Sequence, residues 1–370
     1  MSLSETSAPP TTDVTWRIEL YPTFGRLQMS SNRWRMMVRG RLYVPRADDL
    51  RRRIVTRLMS RVLTVPPHEL GSEIFRERIH GFLVKPRRGE PVQIRLAEAP
   101  LTIHRVTERG GHFVGAFEIP EQRIPPLTEN ASGVNAPWVR YEATIAKSMT
   151  PGNSAEIAND IVPSFCGQSQ LIGPCGMSVI SDIDDTIKLT NVRQRRDMLA
   201  NTFLRPFRSI EGMADVYRHW QDCGAVFHYV SASPWQLFQP LHAFAAEHGF
   251  PRGTYHLRCV KFRNSSMLQL MMKARRSKAK SILSIVKAFP FRRFVLIGDA
   301  GEKDPEIYGA IARRVKGRIA AILIRELPGA PLTAERSRRA FHEIPRELWH
   351  VFRNAEELGD YPFPADQWPS

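Results

Sequence analysis

In Val179-Ile180-Ser181-Asp182-Ile183-Asp184-Asp185-Thr186 a buried-strand run ends abruptly in three carboxylates within four residues. An apolar run of this length reads as a buried strand, and a carboxylate cluster is costly to bury without a cation. The carboxyl end of a parallel strand is where open α/β sheets place their ligands. Carboxylates two residues apart at a strand-to-loop transition can converge on one hard cation, and oxygen ligands that leave room for water suit magnesium.

Downstream, Phe294-Val295-Leu296-Ile297-Gly298-Asp299-Ala300-Gly301-Glu302-Lys303-Asp304 repeats the pattern. The apolar run delivers Asp299 to the same sheet edge. Gly298 and Gly301 let the backbone turn tightly enough for Asp299 and Asp304 to face a common ion. Short apolar runs at 178–181, 225–230, 255–260, 294–297 and 320–324 read as strands. Helical spacing occupies 212–221, 234–247, 278–288 and 304–314. Strands alternating with longer helices predict βαβ units, hence an α/β parallel sheet with helices on both faces.

The segments 181–188, 229–237 and 298–308 together resemble the haloacid-dehalogenase (HAD) superfamily of aspartyl phosphatases. Within it they are similar to the App1 type of phosphatidate phosphatase, a relative of the lipins, over about residues 163–326. The resemblance implies a HAD-like Rossmannoid sheet and hydrolysis of phosphatidate to diacylglycerol and phosphate with Mg2+ as cofactor. It implies Asp182 as the nucleophile that takes up the phosphoryl group, and Asp184 as the acid and base for the leaving alkoxide and the attacking water. Ser231 would bond a phosphoryl oxygen, with Thr186, Ala232 and Lys278 also at the substrate. Lys278 would neutralise charge, with Lys280 as the alternative. The metal would be held by Asp182, Asp184, Asp299 and Asp304, the last directly, through water, or as an orienter of Lys278. Asp185 is expected on backbone groups or on side chains around the ligands rather than on the metal, and Thr186 as a cap of the turn. Ser233, before Pro234, fits a helix N-cap. Ala232 and Ala300 stand where relatives commonly carry a polar residue and Ser. Another phosphoester, such as lysophosphatidate, a nucleic-acid end or a phosphoprotein, is the alternative substrate, and a phosphatidate-binding module without turnover is the alternative role.

Upstream, residues 1–15 read as a loose tail, rich in Ser, Thr and Pro. Residues 16–149 read as a smaller mainly-β or α+β domain. Its strand candidates are 34–43, 92–96, 101–106, 113–119 and 138–145, and its helix candidates are 47–62 and 67–82. Residues 150–176, with Gly, Pro, Ser and Asn and no strong period, read as a linker. The phosphatase domain is placed at 177–350 and a C-terminal tail at 351–370.

The chain has 370 residues, 42% hydrophobic and 24% charged, enough for two folded domains. A net charge of +16 points to anionic partners. Between Glu247 and Asp299 stand twelve Lys or Arg and no acidic residue. Met267, Leu268, Leu270, Met271 and Met272 are interleaved with them, a composition suited to docking on an anionic phospholipid surface. Nucleic acid is the weaker alternative, since no nucleic-acid motif or row of stacking aromatics accompanies the charge. No obligate protein partner is implied. Cys166, Cys175, Cys223 and Cys259 show neither CxxC nor zinc-ligand spacing, so they read as free thiols of a reducing compartment. No run of about 18 apolar residues and no export signal appears. The expected location is cytoplasmic, with peripheral contact to a membrane.

Overall fold

The computed structural model describes residues 16–45, 69–96, 100–124, 136–145, 163–259, 275–329 and 331–359, with isolated positions at 53–60 and 129–134. The basic, methionine-rich stretch around Met267–Met272 lies outside the described residues, as does most of the helix expected over 47–62.

The first module is a nine-stranded sheet. Its strands are β1 (Arg17–Leu20), β2 (Thr23–Gln28), β3 (Arg33–Val44), β4 (Lys85–Pro86), β5 (Pro91–Leu96), β6 (Thr102–Val106), β7 (His112–Pro120), β8 (Trp138–Ile145) and β9 (Phe165–Ile172). Alternation sets the inner face: Trp34, Met36 and Val38 of β3 are buried, as are Phe113, Phe117 and Ile119 of β7, its antiparallel partner. The expected linker therefore contributes β9, which pairs with β8 on one side and, in parallel, with β2 on the other. A helix, α1 (Glu73–Leu83), interrupts the strands. Ser72 caps it by accepting from the Phe75 N–H, and Phe75, Arg78, Ile79 and Phe82 form its buried face at helical spacing.

The second module is a six-stranded, all-parallel sheet in the order β12-β11-β10-β13-β14-β15. The strands are β10 (Met177–Ser181), β11 (Val226–Pro234), β12 (Gly253–Arg258), β13 (Arg293–Asp299), β14 (Ile319–Arg325) and β15 (Trp349–Phe352). The longer helices are α2 (Arg195–Phe203), α3 (Met213–Asp222), α4 (Phe238–Glu247), α5 (Arg275–Ala288), α6 (Asp304–Arg314) and α7 (Ala334–Ala340). Successive residues of each central strand enter opposite cores: Val179, Val295 and Ala321 join one cluster, with Tyr217 of α3 and Phe244 of α4. Ile180, Leu296 and Ile322 join the other, with Ile285 of α5 and Ile311 of α6. Both faces are covered, as a parallel sheet requires. The sheet continues into β15, past the expected limit at residue 350.

The two modules are joined by a common core. Phe75, Ile79 and Phe82 of α1 share one cluster with Phe203, Phe207, Trp235 and Phe238. Tyr21 stacks on Trp235 with ring centroids 4.1 Å apart, and the Tyr255 N–H donates to the Pro22 carbonyl at 3.2 Å. Behind the seam, buried Arg292 ties the β9–β10 turn down: its guanidinium donates to the carbonyls of Gly173, Cys175 and Met177 and, at 2.8 Å, to Ser178 Oγ. Arg292→Met leaves these acceptors, most of them buried, without their donor. It is expected to cost roughly 3–5 kcal/mol in urea unfolding, and a loss below about 1 kcal/mol would contradict this role.

Candidate active site

β10 lies where the strand order reverses, with β11 on one side and β13 on the other, so their carboxyl ends converge on one crevice. Asp182 extends the ladder by donating its N–H to the Ile297 carbonyl at 2.9 Å. Its carboxylate is buried, with Oδ1 2.8 Å from Lys278 Nζ and Thr186 Oγ1 3.5 Å from Oδ2. Lys278, also buried, bridges onward to Asp304 Oδ1 at 2.5 Å and stands 3.9 Å from Glu302 Oε2.

Asp299 ends β13. Its Oδ1 accepts from the Gly301 and Glu302 N–H groups at 2.6 and 3.0 Å, while Oδ2 is buried without a hydrogen-bond partner among the described residues. Asp304, at the start of α6, accepts from the Asp299 N–H at 3.3 Å and the Tyr308 hydroxyl at 3.4 Å. Gly298 is obligatory here, since a Cβ would lie 2.1 Å from Asp304 Oδ2. Asp182, Asp299 and Asp304 each offer an oxygen, all within 4.8 Å of one another. Three buried carboxylates, one with an orphaned oxygen, fit a divalent cation. Burial pushes the Asp182 and Asp299 carboxyls well up, and Glu302 up to about 7. Burial works against the Lys278 charge too, but Asp182 and Asp304 outweigh it and hold the ammonium well above its ordinary value.

Asp184, expected as a further metal ligand, is not among these three carboxylates, and its oxygens are engaged by other side chains. Its Oδ1 meets Lys188 Nζ and Thr190 Oγ1, both at 2.8 Å, and its Oδ2 accepts from Ser231 and Ser233 hydroxyls, both at 3.1 Å. Burial alone would raise this carboxyl, yet Lys188 and the hydrogen bonds bring it below its usual value. Asp185 takes the expected backbone role: in left-handed conformation (φ 53°), it accepts from the N–H groups of Thr190, Asn191 and Val192. Ala232 lines a small cleft with Asp184, Thr190, Met198, Ser233 and Glu302.

Sequence reasoning gives no role to Lys188, Thr190 or Glu302, and it gives Ser233 a different one. Ser233 binds Asp184 instead of capping a helix: β11 runs on through Pro234, and that turn shows no side-chain cap. Lys188 carries one signal in the sequence, its position four residues after Asp184 between apolar Ile187 and Leu189.

Residues 177–326 match the family model described as "Phosphatidate phosphatase APP1, catalytic domain". This segment is similar to App1-type catalytic domains. Over 158 residues the chain is 37% identical to Phosphatidate phosphatase APP1 of Saccharomyces cerevisiae, spanning 42% of this chain and 26% of that protein. Over 171 residues it is 33% identical to an uncharacterized protein of Schizosaccharomyces pombe, spanning 45% of this chain and 28% of that one. The match thus covers under a third of the length of either relative. A crystal structure of phosphoserine phosphatase in apo form aligns with 50% of this chain and 98% of its own, at 11% identity and a TM-score of 0.31. The matched segment holds all the carboxylates described above.

Proposed function

We propose that the chain is a magnesium-dependent phosphatidate phosphatase working through an aspartyl-phosphate on Asp182. The observation that carries this reading is the buried Asp182–Lys278 pair beside Asp299 and Asp304, at the switch point of an App1-type domain. Asp182, Asp299 and Asp304 would hold magnesium, which supplies charge neutralisation for the phosphoryl oxygens.

The Asp182 carboxylate attacks phosphorus, and the bond from phosphorus to the lipid oxygen breaks. Lys278 offsets the negative charge on the nucleophile and the transferring group. Asp184 enters ionised, held so by Lys188 and Thr190. A phosphoryl dianion beside it favours uptake of a proton from solvent, and Asp184 gives that proton to the leaving alkoxide. Asp184 then takes a proton from the water that attacks the aspartyl-phosphate, releasing inorganic phosphate and restoring Asp182. Ser231 and Ser233 set the position of the Asp184 carboxylate throughout.

Arg193, Arg195 and Arg196 are exposed on the loop and helix bordering the cleft, and with the +16 net charge they favour an anionic lipid surface. No helix among the described residues is long and apolar enough to cross a membrane. The test is phosphate release from phosphatidate in mixed micelles with magnesium, compared with lysophosphatidate, a phosphopeptide and a 3′-phosphorylated oligonucleotide. Preference for phosphatidate supports the reading; preference for another ester redirects it. Binding to phosphatidate vesicles with no turnover in any divalent metal would replace it by a binding role.

A further inference from the structure

Arg78 is the odd member of the buried face of α1. It is 7% exposed, and its Nε and Nη1 have no hydrogen-bond partner among the described residues. A guanidinium stripped of water needs compensation. Its compensation is a ring: Arg78 Cζ lies 3.3 Å from the centroid of Phe207, stacking distance over a π face. Burial still pulls this guanidinium below its usual value, against the attraction of Glu77 and Glu247.

The same ring carries a second cation. Lys188 Nζ lies 4.6 Å from the Phe207 centroid and 2.8 Å from Asp184 Oδ1. Both cations therefore rest on one ring, so the ring's placement bears on Lys188 as well as on Arg78. Phe207 is itself buried and held edge-on by Phe244 at 5.8 Å. The helix that aims Arg78 is fixed as well. Arg41 Nη1 donates to the Gly81 carbonyl at 3.0 Å, and a Cβ on Gly81 would lie 2.3 Å from the Gln236 carbonyl, so α1 meets the second module backbone to backbone.

We propose that Arg78 is a positioning residue for the catalytic site. Stacked on Phe207, it fixes the ring against which Lys188 rests, and Lys188 fixes the Asp184 carboxylate. The first module thereby completes the site instead of merely covering one face of the catalytic domain. The inference rests on the reading of Asp184 as acid and base, and the test separates the two.

Arg78→Met keeps the apolar volume and removes the planar cation. Two readouts apply: steady-state kinetics on phosphatidate with magnesium, and acetylation of Lys188 by acetic anhydride, followed by peptide mass spectrometry, which needs no turnover. In Arg78→Met, kcat is expected to fall about tenfold to a hundredfold with KM unchanged, and Lys188 acetylation to rise about tenfold. Arg78→Lys is expected to recover part of both. Arg76→Ala, on the same helix, leaves both at the wild-type level. When the wild type is active, a folded Arg78→Met in which either readout is unaltered overturns the inference. If the wild type hydrolyses no phosphoester, the phosphatase reading falls, and Lys188 acetylation alone decides: a rise upholds the coupling, no change overturns it. Should Arg78→Met not fold, Phe207→Leu carries the same two expectations from the other end of the chain of contacts.

Discussion

Asp182→Asn is expected to abolish phosphate release from phosphatidate, with a loss of at least about 10⁴-fold, because it removes the oxygen positioned to form the covalent bond to phosphorus. The substitution is close to isosteric. An amide oxygen at Oδ1 can still accept from Lys278, which stays paired with Asp304, and the backbone bond from residue 182 to Ile297 is unaffected. The variant should therefore fold and still bind phosphatidate. Burial already pushes the Asp182 carboxyl well up, so replacing it with a neutral group relieves a charge that the folded state holds at a cost. The measurements are phosphate release, vesicle binding and Tm side by side. Loss of turnover with binding retained supports the mechanism. Wild-type turnover in this variant would remove Asp182 from the chemistry.

The central sheet was legible because its strands are buried on both faces, so β13 and β14 appear as continuous apolar runs that need no tertiary information, and β10 as a shorter one between two serines. Asp182 and Asp299 were legible for the same reason, since a carboxylate directly after such a run is costly to bury unless a cation holds it there. β9 was not. Its inward positions include Gly167 and Ser169, and Gly167 is required because a Cβ would meet the Tyr141 ring at 2.6 Å, so the strand lacks a hydrophobic period. β15 is four residues long at the sheet edge, too short to show a period. Ser233 misled because Ser-Pro is a capping signature, and only the extended path of β11 turns its hydroxyl to Asp184. Arg78 reads in sequence as an ordinary solvated arginine; its burial depends on Phe207, more than a hundred residues away in the chain. Spacing reveals which residues share an element. It does not reveal which element another module will press against.

Lys278→Met should have an effect of comparable size and a distinct signature. Lys278 is the cation between Asp182 and Asp304, so its removal is expected to lower kcat by about 10³-fold. It also leaves Asp182, Asp299 and Asp304 buried together without that countercharge. In chelator-treated protein, Asp182 and Asp299 already have carboxyls raised by burial, and without Lys278 they rise further. A carboxyl raised in the folded state binds protons there that the unfolded chain has released. Stability is then full below the unfolded value of about 3.9 and is lost as pH rises through the folded value. The metal-stripped variant should therefore show a Tm that falls from acidic to neutral pH more steeply than the wild type, and added magnesium should restore much of it, since a divalent ion replaces the missing charge. Thermal scans across pH, with and without magnesium, check this. A variant whose Tm tracks the wild type at every pH, and does not respond to magnesium, would show that Lys278 does not balance these carboxylates.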